Sequence, residues 1–476
     1  MRRYVGYALI VISIVAWFFP ADIIQLIIRQ RPVLLGRYSQ GQFGSLFLGT
    51  LIFWGIAASL FSKKSLRETL TNAILVTFSS VLTLVVVILG SKLFIKANYV
   101  EEDIEGTRVI EADINLRGVV RHRPPNQQYE YTIKDKPEHA RSYPNAPPGY
   151  PPLHVKLTSD EKGYRNINTS LGKNASYNIL VVGDSFAVGS NVSDLQAWPA
   201  LMAEELHESI YNMGVSGANP HEYLNNLVHV GLQMQPKTVV VMIYEGNDFR
   251  ATLLSETEDQ KHTGFIAGLK SSPLTRALRT LSQKHLETVN ANAPVPGYQA
   301  AVGWMPLALE YGNKTHYYSF RPKRLIYLDT TKEKFRASEN WQATAQVIKD
   351  FKKLAETKEF KLVIAYAPSA PHVVLPAAQD KISAQQLRIF LAYENKNLPA
   401  AGELKQRIFA NLDAQEEVVA EYCRQQAISF VSTTKALQRH TAVGVQTYFT
   451  YDQHWTPEGN RIVADVIAEH LRREGL

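Results

Sequence analysis

A chain of 476 residues is too long for one ordinary domain. Its 51 Lys and Arg outnumber 44 Asp and Glu for a net charge of +7, but the excess lies before residue 97, so it marks no nucleic-acid surface and no nucleic-acid partner is expected. Cys423, the single cysteine, excludes an intramolecular disulfide framework and any cysteine-based metal cluster.

Three apolar stretches come first, roughly Tyr4–Ile28, Phe43–Phe61 and Thr71–Ile95, each near the ~20 residues a helix needs to cross a bilayer. They predict a membrane anchor of three transmembrane helices over residues 1–96. Arg2 and Arg3 before an apolar run also suit a cleaved signal peptide, but no small-x-small cleavage site follows and two more stretches come after it. Pro20 and Asp22 interrupt the first stretch, so its second half lies at the interface or as a kinked end. Asp22 is the only acid in the three stretches, which argues against a transporter or channel.

Residues 97–176 are rich in turn formers, with Pro124-Pro125-Asn126 and the run from Tyr143 to Pro152, and read as an irregular, short-stranded lead-in or a plain spacer. From residue 177 the pattern changes. The runs Ile179–Val182, Ser209–Asn212, Thr238–Tyr244, Leu362–Tyr366 and Ile428–Val431 are apolar on both faces. They alternate with helical patterns around Trp198–Glu208, Glu222–Gln233, Trp341–Thr357, Leu412–Gln426 and Pro457–Arg473. The pattern predicts an α/β domain over 177–476: a doubly wound, parallel, five-stranded sheet with functional groups at the carboxyl ends of its strands. A long insertion, about 250–340, carries Trp304, Tyr311, Tyr317, Tyr318 and Tyr327 and reads as a lid or acceptor-binding subdomain, or as packed decoration.

The chemistry-bearing residues fall at predicted strand tips. The first strand ends Gly183-Asp184-Ser185, with a serine hydroxyl facing the open edge of the sheet. The second ends Asn212-Met213-Gly214, where glycine turns the backbone and leaves its N–H free to donate. The third ends Glu245-Gly246-Asn247-Asp248, placing a carboxamide at the neighbouring tip. Attack of a serine on an ester generates an oxyanion, and a backbone N–H and an Asn side chain aimed at it are the donors its transition state requires. Near the end, Thr456 as N-cap and Pro457 at the first helical position start the last helix and leave Asp452 and His454 on the loop before it. His454 there can take the serine proton, with Asp452 holding its tautomer. Asp184 and Asp248 read as braces of the strand-tip loops, Gly183 and Gly189 as turn glycines, and His221 and His372 as structural histidines. Neither nucleotide-loop nor metal-ligand spacing is present, so no cofactor and no metal are expected.

In this order on this sheet, the four segments resemble the SGNH (GDSL-type) hydrolase superfamily, whose blocks centre on a Ser, a Gly, an Asn and a His. The resemblance covers about Ile179–Leu471. It implies Ser185 as nucleophile, an oxyanion hole of Ser185 N–H, Gly214 and Asn247, and a triad completed by Asp452 and His454. The chain is also similar to a bacterial membrane-anchored branch related to polysaccharide O-acyl esterases and acetyltransferases. Arg121-His122-Arg123-Pro124-Pro125-Asn126, Gly163-Tyr164-Arg165-Asn166 and Tyr244-Glu245-Gly246-Asn247-Asp248 carry that likeness. One departure is Asp-x-His in place of the commoner Asp-x-x-His. The expected activity is that of a serine esterase or acyltransferase on acyl esters of envelope glycans or lipids, through an acyl-enzyme on Ser185. A non-catalytic glycan-binding scaffold is the alternative. The implied partners are an ester or acyl-glycan substrate, the membrane and an acyl-passing membrane protein. The implied location is integral to a bacterial inner or cell membrane, with the catalytic domain periplasmic or extracellular.

Overall fold

The computed structural model describes residues 2–18, 40–61, scattered positions within 65–79, 99–104, 108–109, 112–136, 147–166, 177–250, 252, 294–295, 298–299, 304–392 and 397–475. The chain divides into two compact units, the larger spanning Ala97–Lys261 and Pro294–Leu476, while the described residues of the smaller fall within Met1–Lys96.

The smaller unit contains α1 (Arg2–Phe18) and α2 (Gln40–Phe61). They pair through Trp17 Nε1, which donates to Thr50 Oγ1 at 2.8 Å, and Trp54 Nε1, which donates to Ser13 Oγ at 2.9 Å. The expected three membrane-spanning helices, and the integral membrane location that followed from them, are corrected here. Among the described residues no helix is long and apolar enough to cross a membrane. The described helix of the first apolar run is α1, Arg2–Phe18, whose 17 residues reach about 25 Å against a hydrocarbon layer of about 30 Å, and residues 19–39 lie outside the described residues. The helix over the second opens Gln40-Gly41-Gln42 and carries Ser45, Thr50 and Ser59 among its apolar residues. Most of the third stretch, Thr71–Ile95, lies outside the described residues.

The larger unit opens with short antiparallel pairs. Strand β1 (Val100–Asp103) pairs with β2 (Val119–His122), and β3 (Gln128–Ile133) with β4 (Leu153–Thr158). The central elements then follow as β5 (Ile179–Val182), α3 (Ser185–Val188), α4 (Trp198–Leu206), β6 (Ile210–Asn212), α5 (Pro220–His229) and β7 (Thr238–Tyr244). A hairpin, β8 (Met305–Tyr311) with β9 (Lys314–Phe320), occupies the described end of the insertion. The fold closes with α6 (Glu339–Lys358), β10 (Lys361–Ala367), α7 (Ala414–Gln425), β11 (Ser429–Ser432) and α8 (Pro457–Arg473).

Five strands form one parallel sheet in the order β11-β10-β7-β5-β6. Renumbered by chain position this is the 2-1-3-4-5 order of a doubly wound fold, whose direction of winding reverses between β5 and β7. Both faces are apolar because side chains alternate across a strand. Val181, Val240, Met242 and Val363 share one buried cluster with Trp198 of α4 and Val463 and Ile467 of α8. Leu180, Val241, Ile243 and Ile364 share the other with Leu224 of α5, Phe351 of α6 and Val419 of α7. Each such side chain contributes about 1.5–3 kcal/mol of burial, which makes this two-sided packing the main support of the sheet.

Of the five aromatic residues named in the insertion, Tyr317 and Tyr327 are half-buried and the other three are engaged within the fold. Trp304 and Tyr318 are buried, and Tyr311 donates to Thr441 O at 2.5 Å. The hairpin is stitched to the loop before α8. Ser319 N–H donates to Thr450 O at 2.9 Å, and Thr450 Oγ1 donates to Tyr317 O at 2.8 Å.

Candidate active site

Ser185 is the first residue of α3, directly beyond the carboxyl end of β5 and beside the winding reversal where doubly wound folds bind ligands. Asp184 caps the helix by accepting the Phe186 N–H at 2.8 Å. Ser185 N–H, at the first helical position, has no intrahelical acceptor. Gly189 ends the turn in a left-handed conformation, φ 68°, which suits a residue without a Cβ.

The turn is clamped from the lead-in segment. Arg165, 4% exposed, donates to the carbonyls of Val188 (3.0 Å), Gly189 (2.6 Å) and Val192 (2.6 Å) and to Asp194 at 2.8 Å. It satisfies the carbonyls that a four-residue helix leaves open. Neighbouring Asn166 accepts the Asn212 N–H at 2.8 Å and so links the same segment to β6. The run Gly163-Tyr164-Arg165-Asn166 is thus part of the scaffold of the nucleophile turn.

His454 Nε2 lies 2.8 Å from Ser185 Oγ, and His454 Nδ1 lies 2.5 Å from Asp452 Oδ1. The intervening Gln453 has φ 69°, and this left-handed turn brings two side chains only two residues apart into contact. Its amide donates to Ser319 O of β9 at 2.7 Å, which holds the turn. Burial disfavours a charge on His454, but the Asp452 carboxylate and its hydrogen bond, with Asp184 behind, outweigh it and raise the imidazole above its ordinary value. Burial would likewise raise Asp452, yet His454 and a hydrogen bond from Asn191 bring it down to about 2. The Phe186 ring is 4.9 Å from that of His454 and stacks at 3.9 Å on Tyr244, over which the Arg324 guanidinium sits at 5.5 Å.

The expected oxyanion donors are engaged to different degrees. Gly214 N–H is not free, as the sequence suggested, but donates to Asn212 Oδ1 at 2.9 Å in a turn closed by that side chain. A Cβ at Gly214 would lie 2.5 Å from Val188 N, so the tip of β6 presses directly on the nucleophile turn. The Asn247 side chain lies close enough to Asp184 to favour its charged form. An amide has two N–H groups, so it can face Asp184 and still offer a donor to another acceptor. Asp184 and Asp248 are fully buried and brace the strand tips; Asp248 accepts the Tyr244 N–H and the Tyr223 hydroxyl at 2.8 and 2.9 Å. Burial pushes Asp184 up to about 6, and burial together with the Asp184 charge raises Asp248 well above the usual carboxylate range.

A cavity of about 410 Å³ adjoins Asn247 and is lined by Gly246, Phe249, Tyr327, Phe335 and Asn340 among others. Beneath it His372 is fully buried. Its Nδ1 lies 2.8 Å from Glu245 and its Nε2 2.9 Å from Asp413, which also meets Lys435 Nζ at 2.8 Å. His372, Asp413 and Glu416 bring ligand-type atoms within 4.8 Å of one another. Both nitrogens of His372 are already bonded to carboxylates, so the arrangement is an ion-pair network that runs from buried Glu245 and His372 to the surface at Asp413 and Lys435. His221, also read as structural, is buried on α5.

Sequence reasoning did not find Asp135, whose buried carboxylate accepts the N–H groups of Thr450 (2.7 Å), Tyr451 (3.0 Å) and Asp452 (2.9 Å). Nothing in Ile133-Lys134-Asp135-Lys136 marks it locally.

Residues 392–476 match the family model of an SGNH hydrolase-like domain, that of acetyltransferase AlgX. The match holds Asp452 and His454 but not Ser185, Gly214 or Asn247. No curated protein matches the chain. Among solved structures, a member of the lipolytic protein G-D-S-L family from Veillonella parvula DSM 2008 is 9% identical, with a TM-score of 0.31, covering 62% of this chain and 98% of its own. A variant of an acetyl-xylooligosaccharide esterase from Geobacillus stearmophilus is 12% identical, TM-score 0.31, covering 63% and 96%. An extracellular lipase from Streptomyces rimosus is 14% identical, TM-score 0.31, covering 63% and 99%. Likeness at this level carries no argument about activity.

Proposed function

Because the chain is related to the SGNH hydrolases through an acetyltransferase-type domain at residues 392–476, we propose that it is a serine-dependent esterase or O-acyltransferase acting on acyl esters of glycans or lipids. The observation that carries this reading is the chain of contacts from Ser185 Oγ to His454 Nε2, 2.8 Å, and from His454 Nδ1 to Asp452, 2.5 Å.

In this reading Ser185 Oγ gives its proton to His454 Nε2 as it attacks the ester carbonyl carbon. The negative charge gathers on the carbonyl oxygen, facing Ser185 N–H and the Asn247 amide, with Gly214 N–H joining if it turns from Asn212. His454 returns the proton to the departing alkoxide and leaves the acyl group on Ser185. Water, or a sugar hydroxyl, then gives its proton to His454 and takes the acyl group, and the proton returns to Ser185 Oγ. The acetyltransferase in the name of the matching family supports capture by a hydroxyl. The raised affinity of His454 for a proton supports the imidazolium formed at each step.

The test is turnover of a chromogenic acetyl ester by the full chain, beside Ser185→Ala and His454→Ala. Wild-type turnover with both variants at background is the expected result. Turnover unchanged in Ser185→Ala would refute the reading. An added oligosaccharide that diverts product from free acid to acylated sugar identifies transfer.

A further inference from the structure

We infer that Asp135, contributed by the lead-in segment, is a positioning residue for the Asp452–His454 pair; the inference rests on the proposed reaction for its meaning but not for its test. The carboxylate is 6% exposed. Its Oδ1 accepts the N–H groups of Tyr451 and Asp452 at 3.0 and 2.9 Å, and its Oδ2 accepts those of Thr450 and Tyr150 at 2.7 and 2.8 Å. Three of the four donors are consecutive residues of the loop that carries Asp452, and one is the backbone of Asp452 itself.

The loop depends on such support. It is closed at its base by the Tyr448–Trp455 bridge and by Phe449 N–H donating to His454 O at 2.9 Å. Its tip contains the left-handed Gln453, a conformation that costs an L-residue about 1–2 kcal/mol. Groups outside the loop hold that tip: Ser319 O of β9 takes the Gln453 amide, Pro147 O takes the Tyr451 hydroxyl at 2.6 Å, and Asp135 takes three consecutive backbone N–H groups just ahead of Gln453. Asp135 thereby sets where the Asp452 backbone lies, and the Asp452 side chain reaches His454 Nδ1 from that backbone. A carboxylate accepts at both oxygens, so it can serve all four donors at once. An amide in its place must turn an NH2 group toward one pair of them.

The test uses the full chain and the variants Asp135→Asn, Asp135→Glu, Asp452→Ala and the double variant Asp135→Asn/Asp452→Ala. The His454 Nδ1 proton, held in the bond to Asp452, is read by NMR downfield of the amide envelope and identified by its loss in Asp452→Ala. The inference expects Asp135→Asn to keep a wild-type circular dichroism spectrum while that resonance moves upfield or vanishes. It also expects kcat to fall roughly 10- to 100-fold with KM little changed, the scale of a misplacement near 1 Å. In the Asp452→Ala background the same substitution should cost nothing more, because its route of action is already gone.

A resonance unchanged in folded Asp135→Asn overturns the inference, as do losses that multiply in the double variant. So does a wild-type chain without the resonance, or failure of both Asp135→Asn and Asp135→Glu to fold, which would make Asp135 a determinant of the fold. Should the wild type show no Ser185-dependent turnover, the proposed reaction fails by itself, and the resonance still decides the role of Asp135.

Discussion

Replacing His372 by Gln isolates the network under the Asn247 strand tip. The imidazole bridges Glu245 and Asp413 with no solvent exposure, and Glu245 also accepts the Tyr366 hydroxyl (3.0 Å), the Ser369 N–H (2.8 Å) and the Ser369 hydroxyl (2.6 Å). Burial opposes a charge on His372, but Glu245, Asp413 and Glu416 overcome it and lift the imidazole to about 10. The same pairing brings Glu245 below its ordinary value against the cost of burial. Taking away the cation leaves a buried carboxylate with neutral donors only, a change that costs about 3–5 kcal/mol. For a unit of roughly 300–350 residues, with about 2.1 cal/mol/K of unfolding entropy per residue, that is a fall in Tm of roughly 4–8 °C, measured by circular dichroism at pH 7. Because the folded value is raised above the ordinary imidazole value of about 6.5, the stabilisation is complete below that pH and fades as pH climbs toward about 10. Wild-type Tm should therefore decline over this window, and that of His372→Gln should decline less. Glu245→Gln/His372→Gln should recover part of the loss, since no charge is then left unpaired. A single variant within about 0.5 kcal/mol of wild type would refute the account.

Four further outcomes concern the site itself. Asn247→Ala should lower kcat by roughly 10²–10³-fold, the usual effect of deleting one oxyanion donor, and an effect confined to KM would remove Asn247 from that role. The acid limb of kcat/KM should lie above about pH 6.5, because His454 must be neutral to accept the serine proton and its affinity for protons is raised. Asp452→Asn should move that limb downward, since burial and Arg324 then lower His454 against Asp184 alone; an unmoved limb would show that another group titrates. Gly214→Ala should destabilise the chain by about 1–3 kcal/mol and slow Ser185 chemistry, since its Cβ would meet Val188 N and Ala187 C at 2.5 and 2.8 Å, as thermal melts and ester turnover would register.

Several features were legible in the residues alone, each with a local cause. A strand buried on both faces must be apolar at every position, so Ile179–Val182 and Thr238–Tyr244 read as strands with the limits they have. Thr456-Pro457 announces the start of α8 because its cap and first-turn chemistry are local, and Thr456 indeed accepts from Gly459 N. Strand ends then place Ser185 and Asn247 at neighbouring tips, since adjacent parallel strands carry their carboxyl ends to one edge.

Other features were decided only by tertiary structure. Apolar runs in the first 96 residues gave an expectation of spanning helices that the described helices do not meet, because crossing a bilayer depends on the length and apolarity of the helix that forms and not on the run alone. The clamp of Arg165 on the nucleophile turn and the seat that Asp135 gives to Asp452 lie between segments with no common period. Asp135 and Asp452 stand 317 positions apart. A buried carboxylate accepts whichever N–H groups the folded chain leaves unpaired beside it, and that choice exists only once the sheet has brought the segments together.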